Sequence, residues 1–171
     1  MKIIALVLLA CCSLSALAEA PPSKEQALKM QQAMQAQQIQ MMATVYDLRK
    51  SKLGFEETVA AIRGGAQKRA WKLGEVVDMQ AEMSKTGNKA TSPMKVIHLC
   101  PVGASELVVR ASGGKAPPLP CRATVFVGAD GKVNVVRLNL HTLAHSMQGD
   151  LARVLGAIAN EEDALYQGIL D

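Results

Sequence analysis

The chain has 171 residues, with 19 Lys and Arg against 15 Asp and Glu and an aromatic complement of one Trp, two Tyr and two Phe. The basic excess is mild and scattered, and it does not interleave with Trp71, Tyr46, Tyr166, Phe55 or Phe126. That pattern excludes a dedicated nucleic-acid surface.

The first eighteen residues read as a cleavable signal peptide. Lys2 supplies the positive start and Ile3 to Leu9 the apolar region, which continues through Ala10, Cys11, Cys12 and Leu14. Ala16, Leu17 and Ala18 make a small-x-small cleavage site before Glu19. The expected location is therefore periplasmic or secreted. The competing reading is a lipid anchor at Cys11, preceded by Leu8-Leu9-Ala10. Beyond the leader no apolar run reaches the roughly 20 residues that a membrane-spanning helix needs. Cutting 18 residues from 171 leaves 153, enough for one domain of ordinary size. It also removes Cys11, Cys12 and Lys2, so the mature chain has 18 basic and 15 acidic residues, a net +3.

Residues 19–41 open with Pro21-Pro22, after which Ser23 can cap a helix with Gln26 three positions on. The following Gln-, Ala- and Met-rich stretch is made of good helix formers, with a thin apolar stripe of Leu28, Met30, Met34 and Met41. A peripheral helix is expected, one that docks loosely or pairs with another copy. Residues 42–171 then form a single domain. Thr44, Val45 and Tyr46 mark a strand within 42–50. Phe55, Val59, Ile62 and Ala66 recur at helical spacing, with Gly64-Gly65 expected to weaken or end that helix.

Trp71 to Asp78 reads as a strand, 80–92 as a short helix and loop, and Met94 to Cys100 as a central or well-covered strand between Pro93 and Pro101. A short helix over 103–111 and a Pro-stiffened loop follow. The hairpin from Cys121 to Leu140 turns at Asp130-Gly131, where both residues tolerate positive φ. The close is a long helix, interrupted near Gly149 with Asp150 as a second cap. Met147, Leu151, Val154, Ile158, Leu165 and Ile169 form its apolar stripe. Arg153, Asn160, Glu161 and Asp163 lie on its polar face. The order of elements implies an α+β plan, a mixed or antiparallel sheet covered by helices.

Several stretches resemble the DUF302 family, a bacterial domain of unknown function. They are Lys95 to Pro101 (KVIHLCP), Pro120-Cys121-Arg122, Asp130 to Val133 (DGKV), the helix from Leu151 to Leu170, and Phe55 to Val59 (FEETV). The resemblance covers roughly residues 42–170. It implies a curved sheet gripping a long C-terminal helix and a tendency to dimerise, and it implies no activity. Members often carry glycine immediately before the aromatic that starts the second strand, whereas this chain has Arg69-Ala70-Trp71.

Cys100 and Cys121 are the cysteine pair left after cleavage, and a disulfide between them is the expected state in an oxidising compartment. Buried free thiols, or thiols used for redox or metal chemistry, are the alternatives. Alternation along the third strand puts Met94, Val96, His98 and Cys100 on one face, where three residue types are metal ligands. His141 and His145 are four apart on one helix face, with Met147 nearby. Met30 with Met34, and Met79 with Met83, repeat the four-residue interval, Met41 and Met42 end the first helix, and thioethers select monovalent copper. Each has a structural counterpart: core filling, ordinary hydrogen bonds, a dimer contact.

No G-x-S-x-G elbow, phosphate-binding glycine loop, C-x-x-C pair, C-x-x-C-H or H-E-x-x-H motif occurs, and Asp47, Glu56 and Asp78 form no recognisable acid pair. The expected function is an exported, non-enzymatic binding domain of unknown ligand, working as a homodimer. The alternatives are a copper- or haem-handling protein and a thiol-based redox enzyme using Cys100 and Cys121.

Overall fold

The structure, a computed structural model, describes residues 23–87 and 92–171. The leader and the alternative anchor at Cys11 lie outside the described residues. The chain divides into two compact units at Ala36/Gln37.

Helix α1 (Lys24–Val45) starts with the expected reciprocal cap. The Gln26 amide donates to Ser23 Oγ at 3.3 Å, and the Ser23 amide donates to Gln26 Oε1 at 2.9 Å. The helix ends at Val45 rather than near 41, so the following strand begins only at Tyr46. Thr44 turns its hydroxyl back to the Gln40 carbonyl at 3.0 Å, a bond that a β-branched residue makes inside a helix. Leu28, Met30, Met34, Met41 and Met42 are all exposed.

The second unit is built on five strands: β1 (Tyr46–Lys50), β2 (Lys72–Asp78), β3 (Met94–Cys100), β4 (Arg122–Val127) and β5 (Val133–Leu138). Their order is β1-β5-β4-β3-β2 and every pairing is antiparallel, so the sheet is not mixed. The β4–β5 turn falls at Asp130-Gly131 as expected, with positive φ at Gly131 but not at Asp130. Gly131 takes φ +72°, and Asp130 Oδ1 accepts from the Lys132 amide at 3.1 Å.

Alternation decides what each face does. Ile97, Leu99, Ala123, Val125 and Val135 point to one side and are buried beneath helix α2 (Phe55–Lys68) and the end of helix α6 (Gly149–Tyr166). Val59, Ile62 and Ala66 come from α2, and Leu165, Tyr166, Ile169 and Leu170 from the C-terminal segment. The glycine pair does not end α2, which runs on to Lys68. At Gly65 a Cβ would lie 2.7 Å from Leu165 Cδ1, so the missing side chain is what lets the C-terminal segment seat there.

The interruption expected near Gly149 is present: the C-terminal segment is two helices, α5 (Leu140–Ser146) and α6, separated by extended backbone at Met147 and Gln148. Asp150 does not cap α6; it pairs with Arg153 in the first turn. The first part of α6 belongs to a separate packing group, which Cys100 of β3 and Leu138 of β5 also join. With α4 (Ala104–Ala111) and α5 it encloses a second core of Ala104, Val108, Leu140, Leu155, Ile158 and Ala159. The remaining helix, α3 (Met79–Lys85), is capped by Asp78, whose carboxylate accepts from the Ala81 amide.

The chain leaves α2 through a Schellman turn: the Trp71 amide donates to the Ala66 carbonyl and the Ala70 amide to the Gln67 carbonyl. This places Ala70 at φ +52°, the left-handed conformation that glycine adopts freely. It is the position where the family resemblance leads one to expect glycine. Substituting Ala70→Gly is expected to raise stability by about 0.5–1 kcal/mol, strain relief exceeding the added chain entropy. A urea midpoint equal to or below that of the parent protein would contradict this.

Candidate functional site

Position 137 continues the inward-facing series Val133, Val135 of β5, so an arginine enters where the pattern calls for an apolar residue. Its side chain is only 8% exposed. A charge there must be paired, and three carboxylates pair it. Asp47, opposite Arg137 in the β1–β5 register, accepts from Nε at 3.1 Å and lies 2.9 Å from Nη2. Glu162 accepts from Nη1 at 3.3 Å and Asp163 from Nη2 at 2.8 Å, both from the last turns of α6. The guanidinium also lies over the Tyr166 ring, 4.8 Å from its centre. His141 Nε2 on α5 meets the other oxygen of Asp163 at 2.7 Å.

Burial opposes the charge of Arg137, but the bond to Asp163 and the charges of Glu162 and Asp47 outweigh it and raise its pKa. For Asp163, burial is likewise overcome, by bonds from Arg137 and His141, and its carboxyl is held below the ordinary range. Glu162 goes the other way. Burial pushes it up to about 7, because it has the longest of the contacts to a guanidinium already shared with two other carboxylates. Burial, with the charge of Glu162, also pushes the Tyr166 hydroxyl well above its usual value. Tyr166 therefore stays a protonated phenol at neutral pH.

Beside this network a cleft of about 570 Å³ opens between edge strand β1 and the turn after α6. Arg49, Lys52, Arg137, Asp163, Tyr166 and Gly168 are among the residues that line it.

Of the residues singled out from sequence, Cys100 and Cys121 are joined as a disulfide, with Cα atoms 5.0 Å apart. Met94, Val96, His98 and Cys100 do share a face, since Ile97 and Leu99 are buried on the other. His98 is exposed and its Nδ1 lies 3.2 Å from the Glu75 carbonyl oxygen. His141 and His145 share α5, where His145 Nδ1 lies 2.7 Å from the His141 carbonyl oxygen and Met147 stands just beyond, exposed. Met30 and Met34 stand exposed on α1. Among the described residues no group of three or more His, Cys, Asp or Glu side chains is disposed to hold a metal ion. No described helix is long and apolar enough to cross a membrane.

The network of Arg137, Asp47, Glu162 and Tyr166 was not among the sequence candidates. Its signal was present: an arginine in the inward register of a strand demands acidic partners from elsewhere in the fold.

The family match agrees with the fold. Residues 47–170 match the family described as Domain of unknown function DUF302, and the chain belongs to that family. A solved relative is the uncharacterized conserved protein DUF302 from Bacillus stearothermophilus. It is 15% identical over 72% of this chain and 97% of its own, with a TM-score of 0.59, a likeness of fold. No curated protein matches.

Two measurements bear on these features. The disulfide closes a loop of 21 residues' separation, so Cys121→Ser is expected to lower stability by about 3 kcal/mol, and an unchanged denaturation midpoint would count against a structural bridge. The raised pKa of Glu162 means that the folded chain binds more protons than the unfolded one between about 4.5 and about 7. Its stabilising contribution is complete below that window and is lost as the pH rises through it. Wild type should lose more stability from pH 4.5 to pH 8 than Glu162→Gln does; equal losses would show that Glu162 titrates as it does in the unfolded chain.

Proposed function

We propose that this protein is an exported, non-enzymatic binding domain that works as a homodimer. The observation that carries the reading is the outer face of the sheet. Leu48, Val136, Thr124, Val96 and Val77 stand in register across all five strands, with Met94 and Phe126 beside them. None of the apolar members belongs to either core, and Leu48 is 58% exposed. A sheet whose second face is apolar gains by covering it, and sheets pack face to face at about 10 Å.

The chemistry of the other clusters favours binding over catalysis. The two mature cysteines are joined to each other 21 positions apart, not at the C-x-x-C spacing of dithiol redox motifs. The acids and the base around Arg137 satisfy one another. The copper or haem alternative rests on His141, His145 and Met147, which are neighbours, and on Met94 and His98, which lie on a different element.

The test is purification from the cell that makes the protein. The expected product begins at Glu19, is found outside the cytoplasm, has the mass of a dimer, and contains neither stoichiometric copper nor haem absorbance. Leu48→Lys with Val96→Lys should halve the mass and leave the fold intact, since both side chains stand on the outer face. If Leu28→Glu with Met34→Glu halves it instead, the α1 stripe is the contact. A monomeric parent protein overturns the dimer, and bound metal replaces this reading with the alternative.

A further inference from the structure

We propose that the cleft beside β1 is a binding site for the oxyanion group of a small organic molecule, a carboxylate or a phosphate, held by Arg49, Lys52 and the Tyr166 hydroxyl. The inference rests on the reading of the protein as a binding domain and supplies the ligand class that reading lacks.

Three observations converge on this cleft. Its size, about 570 Å³, is that of small-molecule sites. Two of its cations are uncommitted: Arg49 and Lys52 are exposed and make no side-chain hydrogen bond or ion pair among the described residues, whereas Arg137 already serves three carboxylates. The charge of Arg137 is met by Asp47, Glu162 and Asp163, so Arg49 and Lys52 supply the unbalanced positive charge of the cleft. The cleft therefore attracts an anion.

The third observation concerns Tyr166. The residue is 95% buried by its 5% exposure, lines the cleft, and its hydroxyl makes no hydrogen bond within the described residues. A buried phenol ordinarily finds a partner. No side-chain nitrogen or oxygen sealed from solvent lacks one among the described residues, so this hydroxyl keeps contact with solvent, and Tyr166 lines the cleft. Its phenol remains protonated and so can donate to an acceptor. Arg49 and Lys52 carry the charge that selects an anionic acceptor over a neutral one. Leu170 and Ala164 give the cleft an apolar portion to receive the carbon skeleton.

The experiment uses the whole chain, processed as its own cell processes it. Inorganic phosphate, a phosphate monoester and a short dicarboxylate are titrated separately, with glycerol as the neutral control, and binding is read from amide and tyrosine chemical shifts. At least one oxyanion is expected to bind saturably and glycerol not at all. Which arm binds tighter decides between phosphate and carboxylate. Arg49→Gln and Lys52→Gln should each weaken binding about tenfold, with the melting temperature unchanged because both side chains are exposed. Tyr166→Phe should weaken it severalfold, and if that variant is unstable the two cation variants carry the test. Absence of saturable binding at millimolar oxyanion, or wild-type affinity in the Arg49→Gln/Lys52→Gln double variant, overturns the assignment. Turnover of a bound anion would overturn the non-catalytic reading above and leave the site standing.

Discussion

One guanidinium joins the parts of this fold that packing alone would leave loose. Arg137 sits in β5, reaches Asp47 in the edge strand β1, and holds Glu162 and Asp163 in the last turns of α6. Through Asp163 it extends to His141 on α5. An edge strand has only one neighbour to hold it. Here β1 gains a second attachment from the C-terminal segment, because the Lys52 amide donates to the Ile169 carbonyl and the Asp171 amide to that of Lys50. The ion pairs orient the end of α6 so that Tyr166, Ile169 and Leu170 enter the core, and those backbone bonds follow. Removing the guanidinium would leave three carboxylates facing one another, a far larger cost than losing any single pair.

The fold was legible wherever one residue type dictates one local outcome. Pro93 and Pro101 bracket β3, Asp130-Gly131 turns the β4–β5 hairpin, and Ser23 with Gln26 starts α1. Alternation correctly separated Ile97 and Leu99 from Met94, His98 and Cys100. It failed where tertiary context overrode propensity. Thr44 and Val45 stayed helical, and Gly65 sits inside α2 because Leu165 occupies the space its side chain would need. The single stripe read along the C-terminal segment serves two cores, a division that periodicity cannot express because it depends on where α4 packs.

The candidate site was the least legible part, for a physical reason. Its members come from positions 47, 49, 52, 137, 162, 163 and 166, and no short motif spans them. Histidines, cysteines and methionines drew attention by residue type, yet the histidines and cysteines have structural partners and the methionines of α1 stand exposed. His98 meets a backbone carbonyl, His145 another, and the two cysteines meet each other. Arg137 resembles the other scattered polar residues of the hairpin until its face of the sheet is known.

The disulfide acts at the boundary between the two cores. Cys100 ends β3 and packs against the second core, Cys121 immediately precedes β4, and the segment between them carries α4, one wall of that core. The base of that segment is closed twice, once by the ladder, where the Leu99 amide donates to the Cys121 carbonyl, and once by the covalent bond beside it. The bond therefore acts as a staple at the foot of a loop whose far side forms the wall of a core, and most of its effect falls on the unfolded chain, whose freedom it cuts.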